Sequence, residues 1–161
     1  MGSPAFTIIN QELLDQVSLQ AQQSPRLRKN HNFHPSDEFC SHRLLNAMEP
    51  GSYIRPHRHL DTTKDESMVM IRGSMGVIAF DEAGNVTLSK VLSACGDAIA
   101  VDIPHGQFHT VVCLEKGSVF FEAKAGPYRP LTDKEKAAWA PDEGTAEAAD
   151  YLRGLEALFN K

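Results

Sequence analysis

The sequence predicts an all-β sandwich or barrel with a short helical segment at each end. Short apolar runs broken by Gly, Pro, Asn and Asp turns recur from about Ser41 to Ala125. Strands at such even spacing are the pattern of antiparallel sandwiches and barrels. No helical pattern of ten or more residues interrupts them, which argues against a parallel βαβ sheet. Helical periodicity is confined to the two ends.

At the first end Asn10 fits an N-cap, and Ile9 and Leu14 have the spacing of a hydrophobic staple. Leu13, Val17 and Ala21 share a helical face, and Pro25 ends the run. Such a helix is too short to stand alone, so it is expected to pack on the main domain or on a second copy. Residues 26–40 are rich in polar and aromatic groups, among them Arg26, Arg28, His31, Phe33 and His34. They read as an ordered arm or edge segment: a solvated connection anchored by Phe33, or side chains that reach a pocket.

The strands follow in order. His42 to Met48 ends at the turn Glu49-Pro50-Gly51, and Glu66 to Ile71 places Met68 and Met70 on one face. Gly76 to Phe80 and Val86 to Leu92 are joined by the hairpin connection Asp81-Glu82-Ala83-Gly84-Asn85. Ala98 to Ile103, Phe108 to Leu114 and Ser118 to Ala123 complete the set. Beyond them Thr132 and Glu135 have capping-box spacing, and Ala148, Leu152, Leu155 and Phe159 form a helical stripe. The expected organisation is a packing helix in 1–24, a β domain in 25–131 and a helical tail in 132–161. Met1, Gly2 and Ser3 are assigned no function.

The chain has 161 residues and a formal net charge of −5, from 16 Lys+Arg and 21 Asp+Glu. That size can bury a core without disulfides. The acidic balance gives no support for broad nucleic-acid or anionic-membrane binding and leaves room for a local basic patch inside a pocket. The 3 cysteines, Cys40, Cys95 and Cys113, match neither a disulfide framework nor a metal knuckle, and read as core or half-buried free thiols of a cytoplasmic protein. No apolar run is long enough to span a bilayer, and no leader pattern opens the sequence.

Chemistry concentrates at four positions. His57 and His59 stand two apart, so on a strand both imidazoles point to one face. Glu66 opens the next strand, and His109 opens a strand in the second half. Together they could aim three imidazoles and one carboxylate at one divalent ion: Fe, Mn, Ni or Zn. Taken alone, His57-Arg58-His59 fits a surface segment beside Arg55 equally well.

The surrounding residues resemble the two cupin motifs. Gly51, five residues, His57-Arg58-His59, then Glu66 and Gly73 follow the first, with a longer loop, Leu60 to Asp65, than is usual. Gly96, Pro104-His105-Gly106 and His109 follow the second, with Cys113 where Asn is usual. The resemblance implies a cupin, a double-stranded β-helix or jelly-roll barrel, binding one metal ion through His57, His59, Glu66 and His109. A closer likeness, over about residues 10–131, is to the WbuC-type cupins found beside O-antigen and surface-polysaccharide genes. It rests on Ser24-Pro25-Arg26-Leu27-Arg28-Lys29-Asn30, Asn32-Phe33-His34, the run Arg43 to His59, and Gly126-Pro127-Tyr128.

The resemblance leads to an expected metal-dependent enzyme acting on a small polar, sugar-type or sugar-nucleotide substrate in surface-polysaccharide (lipopolysaccharide) metabolism. Isomerase, epimerase or lyase chemistry would use Glu66, His105 or His34 as catalytic base. An Fe(II) dioxygenase and a non-catalytic sugar-binding or sensor module are the alternatives. Arg43, Arg55 and Lys64 are candidates for positive charge near the metal. Tyr53, Tyr128 and Phe108 are candidates for the mouth of the pocket. A small-molecule partner and a homodimer are expected, without nucleic acid or membrane.

Overall fold

The computed structural model describes residues 5–160; Met1, Gly2 and Ser3 lie outside them. The chain forms α1 (Gln11–Gln23), β1 (Arg28–Asn32), β2 (Ser41–Met48), β3 (Glu66–Arg72) and β4 (Ser74–Phe80). There follow β5 (Val86–Ser93), β6 (Ala100–Ile103), β7 (Phe108–Cys113), β8 (Ser118–Ala125) and α2 (Ala146–Ala157). The strands make two antiparallel sheets, one of order β1-β2-β8-β3-β6 and one of order β5-β4-β7.

Both sheets bury side chains on both faces. Met48, Met68, Met70 and Phe120 of the larger sheet meet Met75, Val77, Val111 and Cys113 of the smaller one in the central core. On the outer face of the larger sheet, Leu45, Ala47 and Val119 pack under Leu14, Val17 and Ala21 of α1. On the outer face of the smaller sheet, Ile78, Phe80 and Val112 lie under Ala137, Ala140 and Ala148, Leu152 and Leu155 of α2. The strict alternation of β2 achieves this: His42, Leu44, Asn46 and Met48 point inward, and Leu45 and Ala47 point to α1.

Asn10 caps α1 as expected, its side chain accepting from the Leu13 N–H at 3.0 Å. The buried stripe runs through Leu14 rather than Leu13, which is half-buried at its edge. The polar arm contributes the edge strand β1, paired with β2 from Arg28↔Met48 to Asn32↔Leu44. Cys113 is buried, whereas Cys40 and Cys95 are exposed, correcting the expectation of core thiols; all three are free.

Thr132 and Glu135 make the capping-box hydrogen bonds, Thr132 N–H to Glu135 Oε2 at 2.9 Å among them, yet no helix follows. The backbone of this stretch pairs elsewhere: Arg58 N–H donates to Glu135 O at 2.9 Å and Ala137 N–H to Pro56 O at 3.0 Å. Helix is deferred to α2, where Ala148, Leu152 and Leu155 are buried as the stripe predicts.

Gly73 closes the turn between β3 and β4 with φ 73, and a Cβ there would stand 2.4 Å from Ser118 Oγ and 3.0 Å from Ser118 Cα. A left-handed backbone and a backbone neighbour both oppose a side chain. Gly73→Ala is therefore expected to cost about 2 kcal/mol or more, read from the urea midpoint. An unchanged midpoint would contradict this packing.

Candidate metal centre

His57 and His59 lie on an irregular segment rather than on a strand. His57 forms a two-way bridge with His109, His57 N–H to His109 O at 3.0 Å and His109 N–H to His57 O at 2.9 Å. Its neighbour Thr110 donates from Oγ1 to Ile54 O at 2.6 Å. The Gly106 N–H, in the turn before β7, donates to His59 O at 2.7 Å. Glu66 opens β3 on its inward face, and His109 is the second residue of β7. The ligand atoms of His57, His59, Glu66 and His109 all lie within 4.8 Å of one another.

The tautomers are set from behind. His57 Nδ1 faces Arg55 O at 3.0 Å, and His109 Nδ1 faces Gln107 O at 2.9 Å. A carbonyl can only accept, so in the neutral rings Nδ1 carries the hydrogen and Nε2 presents a lone pair. Burial, followed by the neighbouring His109, pushes the His57 imidazole down to about 3, which keeps it neutral.

His109 Nε2 and His59 Nε2 each stand 3.1 Å from Glu66 Oε2. Both Glu66 Oε2 and His109 Nε2 are buried with no hydrogen-bond partner, so the 3.1 Å approach is contact without hydrogen-bond geometry. Two acceptors held together out of water are costly unless a cation lies between them. The donor set fits a divalent transition ion, for which neutral imidazoles and a carboxylate are suited ligands.

Lys124 completes the electrostatics. Its Nζ donates to Glu66 Oε1 at 2.9 Å and to Glu122 Oε1 at 3.1 Å, and lies 3.5 Å from His59 Nε2. Asn46 Nδ2 donates to Glu122 Oε2 at 2.7 Å. Burial alone would raise the Glu66 carboxyl; the charge of Lys124 opposes this, and the carboxyl lies well below the usual range. Burial, reinforced by the Glu66 charge, pushes Glu122 up to about 7. Lys124 thus occupies one oxygen of Glu66 and leaves Oε2 turned to the histidines.

His57 and His59 of this set line a cavity of about 670 Å³ whose wall also includes Arg28, His42, Asn46, Lys64, Lys124 and Tyr128. Among the side chains named from sequence, Arg26, Arg28, Lys64 and Tyr128 line this space. Arg55 turns to Ala137 O and Asp142. Arg43 projects on the opposite parity from His42, toward Phe39. Tyr53 is buried with its hydroxyl donating to Pro141 O at 2.8 Å, and Phe108 packs against Trp139.

His105 pairs with Asp65 at 2.7 Å in an exposed turn, away from the cavity wall. His34 stacks on His42 at 3.9 Å between ring centroids, and it lines a neighbouring cavity behind His42. Lys124, Glu122, Asn46 and His42 were not foreseen. Their signal was parity: Glu122 and Lys124 alternate with Phe121 and Ala123 along β8, and Lys124 pairs across from Glu66.

The architecture is that of a cupin, and structural neighbours agree on the fold. KdgF from a Halomonas species superposes with TM-score 0.51 at 19% identity, covering 66% of this chain and 84% of that one. BH2720 from Bacillus halodurans gives 0.53 at 17% identity, covering 79% and 86%. A search of curated proteins finds no match. The chain belongs to the family described as "Domain of unknown function (DUF6016)", whose model matches residues 9–92. That span holds His57, His59 and Glu66 and ends before His109.

Lys124→Met would leave Glu66 and Glu122 facing each other without their shared cation. The expected loss is about 3 kcal/mol in urea unfolding at about pH 9, where Glu122 must either carry a charge or take up a proton, and Glu122→Gln with Lys124→Met should lose distinctly less there, because the amide needs no proton. Equal losses in the single and double variants would contradict the role given to Lys124.

Proposed function

We propose that the protein is a metal-dependent cupin enzyme that binds one divalent transition ion through His57, His59, Glu66 and His109 and acts on a small anionic polar molecule. The observation that carries this reading is the convergence of four ligand atoms within 4.8 Å, two of them buried and unpartnered. When bound, such an ion supplies Lewis-acid polarisation of a carbonyl or hydroxyl group.

The chain's own residues supply the rest. Lys124 brings a charged Nζ to the cavity wall beside His59 and can hold an oxygen that becomes negative, or return a proton to it. His42 and Asn46 offer polar atoms on the same wall, and Arg28 and Lys64 give it positive character. His105 does not line this cavity and His34 lies behind His42, so Lys124 takes the proton-handling role in this reading. Isomerase, epimerase or lyase chemistry on a sugar-type substrate suits these groups. The likeness to WbuC-type cupins supports surface-polysaccharide precursors as the source of that substrate. The edge strand β5, with Val86, Leu88 and Val91 exposed, supports pairing of two copies.

Element analysis of protein purified without added metal tests the reading. About one transition-metal ion per chain is expected in the parent. His57→Ala, His59→Ala and His109→Ala should each retain less than about half of that and melt at lower temperature, since an ion bound to the native state stabilises it. Unchanged stoichiometry in all three variants would remove the metal site.

A further inference from the structure

Two arginines at the cavity rim close on one carboxylate. Arg26 donates from Nε and Nη2 to Glu143 Oε1 and Oε2 at 3.0 and 2.7 Å. Arg28 donates from Nη1 and Nη2 to the same two oxygens, both at 2.8 Å. Each guanidinium presents its planar fork, the arrangement by which arginine recognises carboxylate and phosphate.

The Arg28 guanidinium and the Arg26 backbone are also held from the barrel side. Arg28 Nη1 also donates to Tyr53 O at 3.1 Å, and Ser52 Oγ donates to Arg26 O at 2.9 Å. Leu27, between them, has φ 55, a left-handed backbone that costs a non-glycine residue about 1–2 kcal/mol. Hydrogen bonds of 2.9 Å at its N–H, to Ser24 O, and at its carbonyl, from Glu49 N–H, hold it there. Its side chain packs over Gly51, where a Cβ would approach Leu27 Cδ1 to 3.3 Å.

Glu143 arrives from outside the barrel, in the connection before α2, with its neighbour Asp142 on Arg55. Burial would raise its carboxyl, but the hydrogen bonds of Arg26 and Arg28 outweigh this and bring it down to about 2. Both arginines line the cavity beside His57 and His59, and with His57, Arg55, Lys136 and the carboxylates Asp142 and Glu143 they also line an adjoining space of about 280 Å³.

We infer that Arg26 and Arg28 form an anion subsite for a carboxylate or phosphate group of the cavity's ligand, and that Glu143 competes for it as a built-in surrogate. The inference deepens the metal-enzyme reading, on which the placement of the rest of that ligand depends. A tethered carboxylate acts at an effective concentration in the millimolar range, so a free anion binds the parent weakly.

The test is calorimetric titration of the full-length protein, as purified, with inorganic phosphate and separately with malonate. Glu143→Ala and Glu143→Gln should each tighten at least one anion by about tenfold or more, and adding Arg28→Ala should abolish the gain. The glutamine variant keeps the side-chain shape should the alanine variant fold poorly. Unchanged affinity in both Glu143 variants, with or without a fall in melting temperature, would overturn the subsite and reduce the contact to a clamp on the tail. A gain that survives Arg28→Ala would overturn it too, by moving the anion elsewhere in the cavity. Neither result touches the metal reading, which stands or falls on metal content.

Discussion

The arrangement of this protein depends on acceptor atoms that face one another without a hydrogen between them. Glu66 Oε2 and His109 Nε2 are buried 3.1 Å apart, and His59 Nε2 approaches the same oxygen equally closely. The Nδ1 atoms of His57 and His109 are committed to backbone carbonyls, so those rings cannot turn a hydrogen inward without becoming charged. Burial opposes that charge at His57. A cation at the centre would relieve the repulsion and turn the same lone pairs into bonds.

The rest of the fold keeps that cluster rigid and open on one side. The central core of methionines and valines fixes the two sheets against each other, and the polar end of the space between them holds the ligand set. Lys124 sits between Glu66 and Glu122, and Asn46 satisfies the far oxygen of Glu122, so the buried acids form one connected network. The segment after β8 then wraps back. It pairs its backbone with residues 56–58 and sends Glu143 to the rim arginines. The tail is thereby joined both to the segment that carries His57 and to the charged wall of the cavity.

Much of this was legible in the sequence, because alternation and glycine–proline punctuation report directly on strands and turns. The clustering of His57, His59, Glu66 and His109 was legible because an HxH pair, a carboxylate at a strand start and a distant histidine follow a motif whose glycines have physical duties, as Gly73 does. Other features depended on tertiary pairing. His57 lies outside any regular strand, and its position is fixed by a bridge to His109 that no local pattern announces. Residues 132–140 carry helix signals that lose to backbone pairing with the His57 segment. Lys124 and Glu122 look like ordinary polar positions on β8 until the register sets Lys124 opposite Glu66. Arg43 was separated from the cavity by parity alone, being one residue from the inward-facing His42.

Anomalous diffraction from crystals of the metal-replete protein, collected on both sides of the absorption edge of the ion it carries, tests the central claim most directly. A single peak bonded to the Nε2 atoms of residues 57 and 109, the imidazole of 59 and the Oε2 of 66, with Oε1 kept by Lys124, is the result expected. Imidazoles that diverge around ordinary solvent density, with no anomalous signal among them, would contradict it.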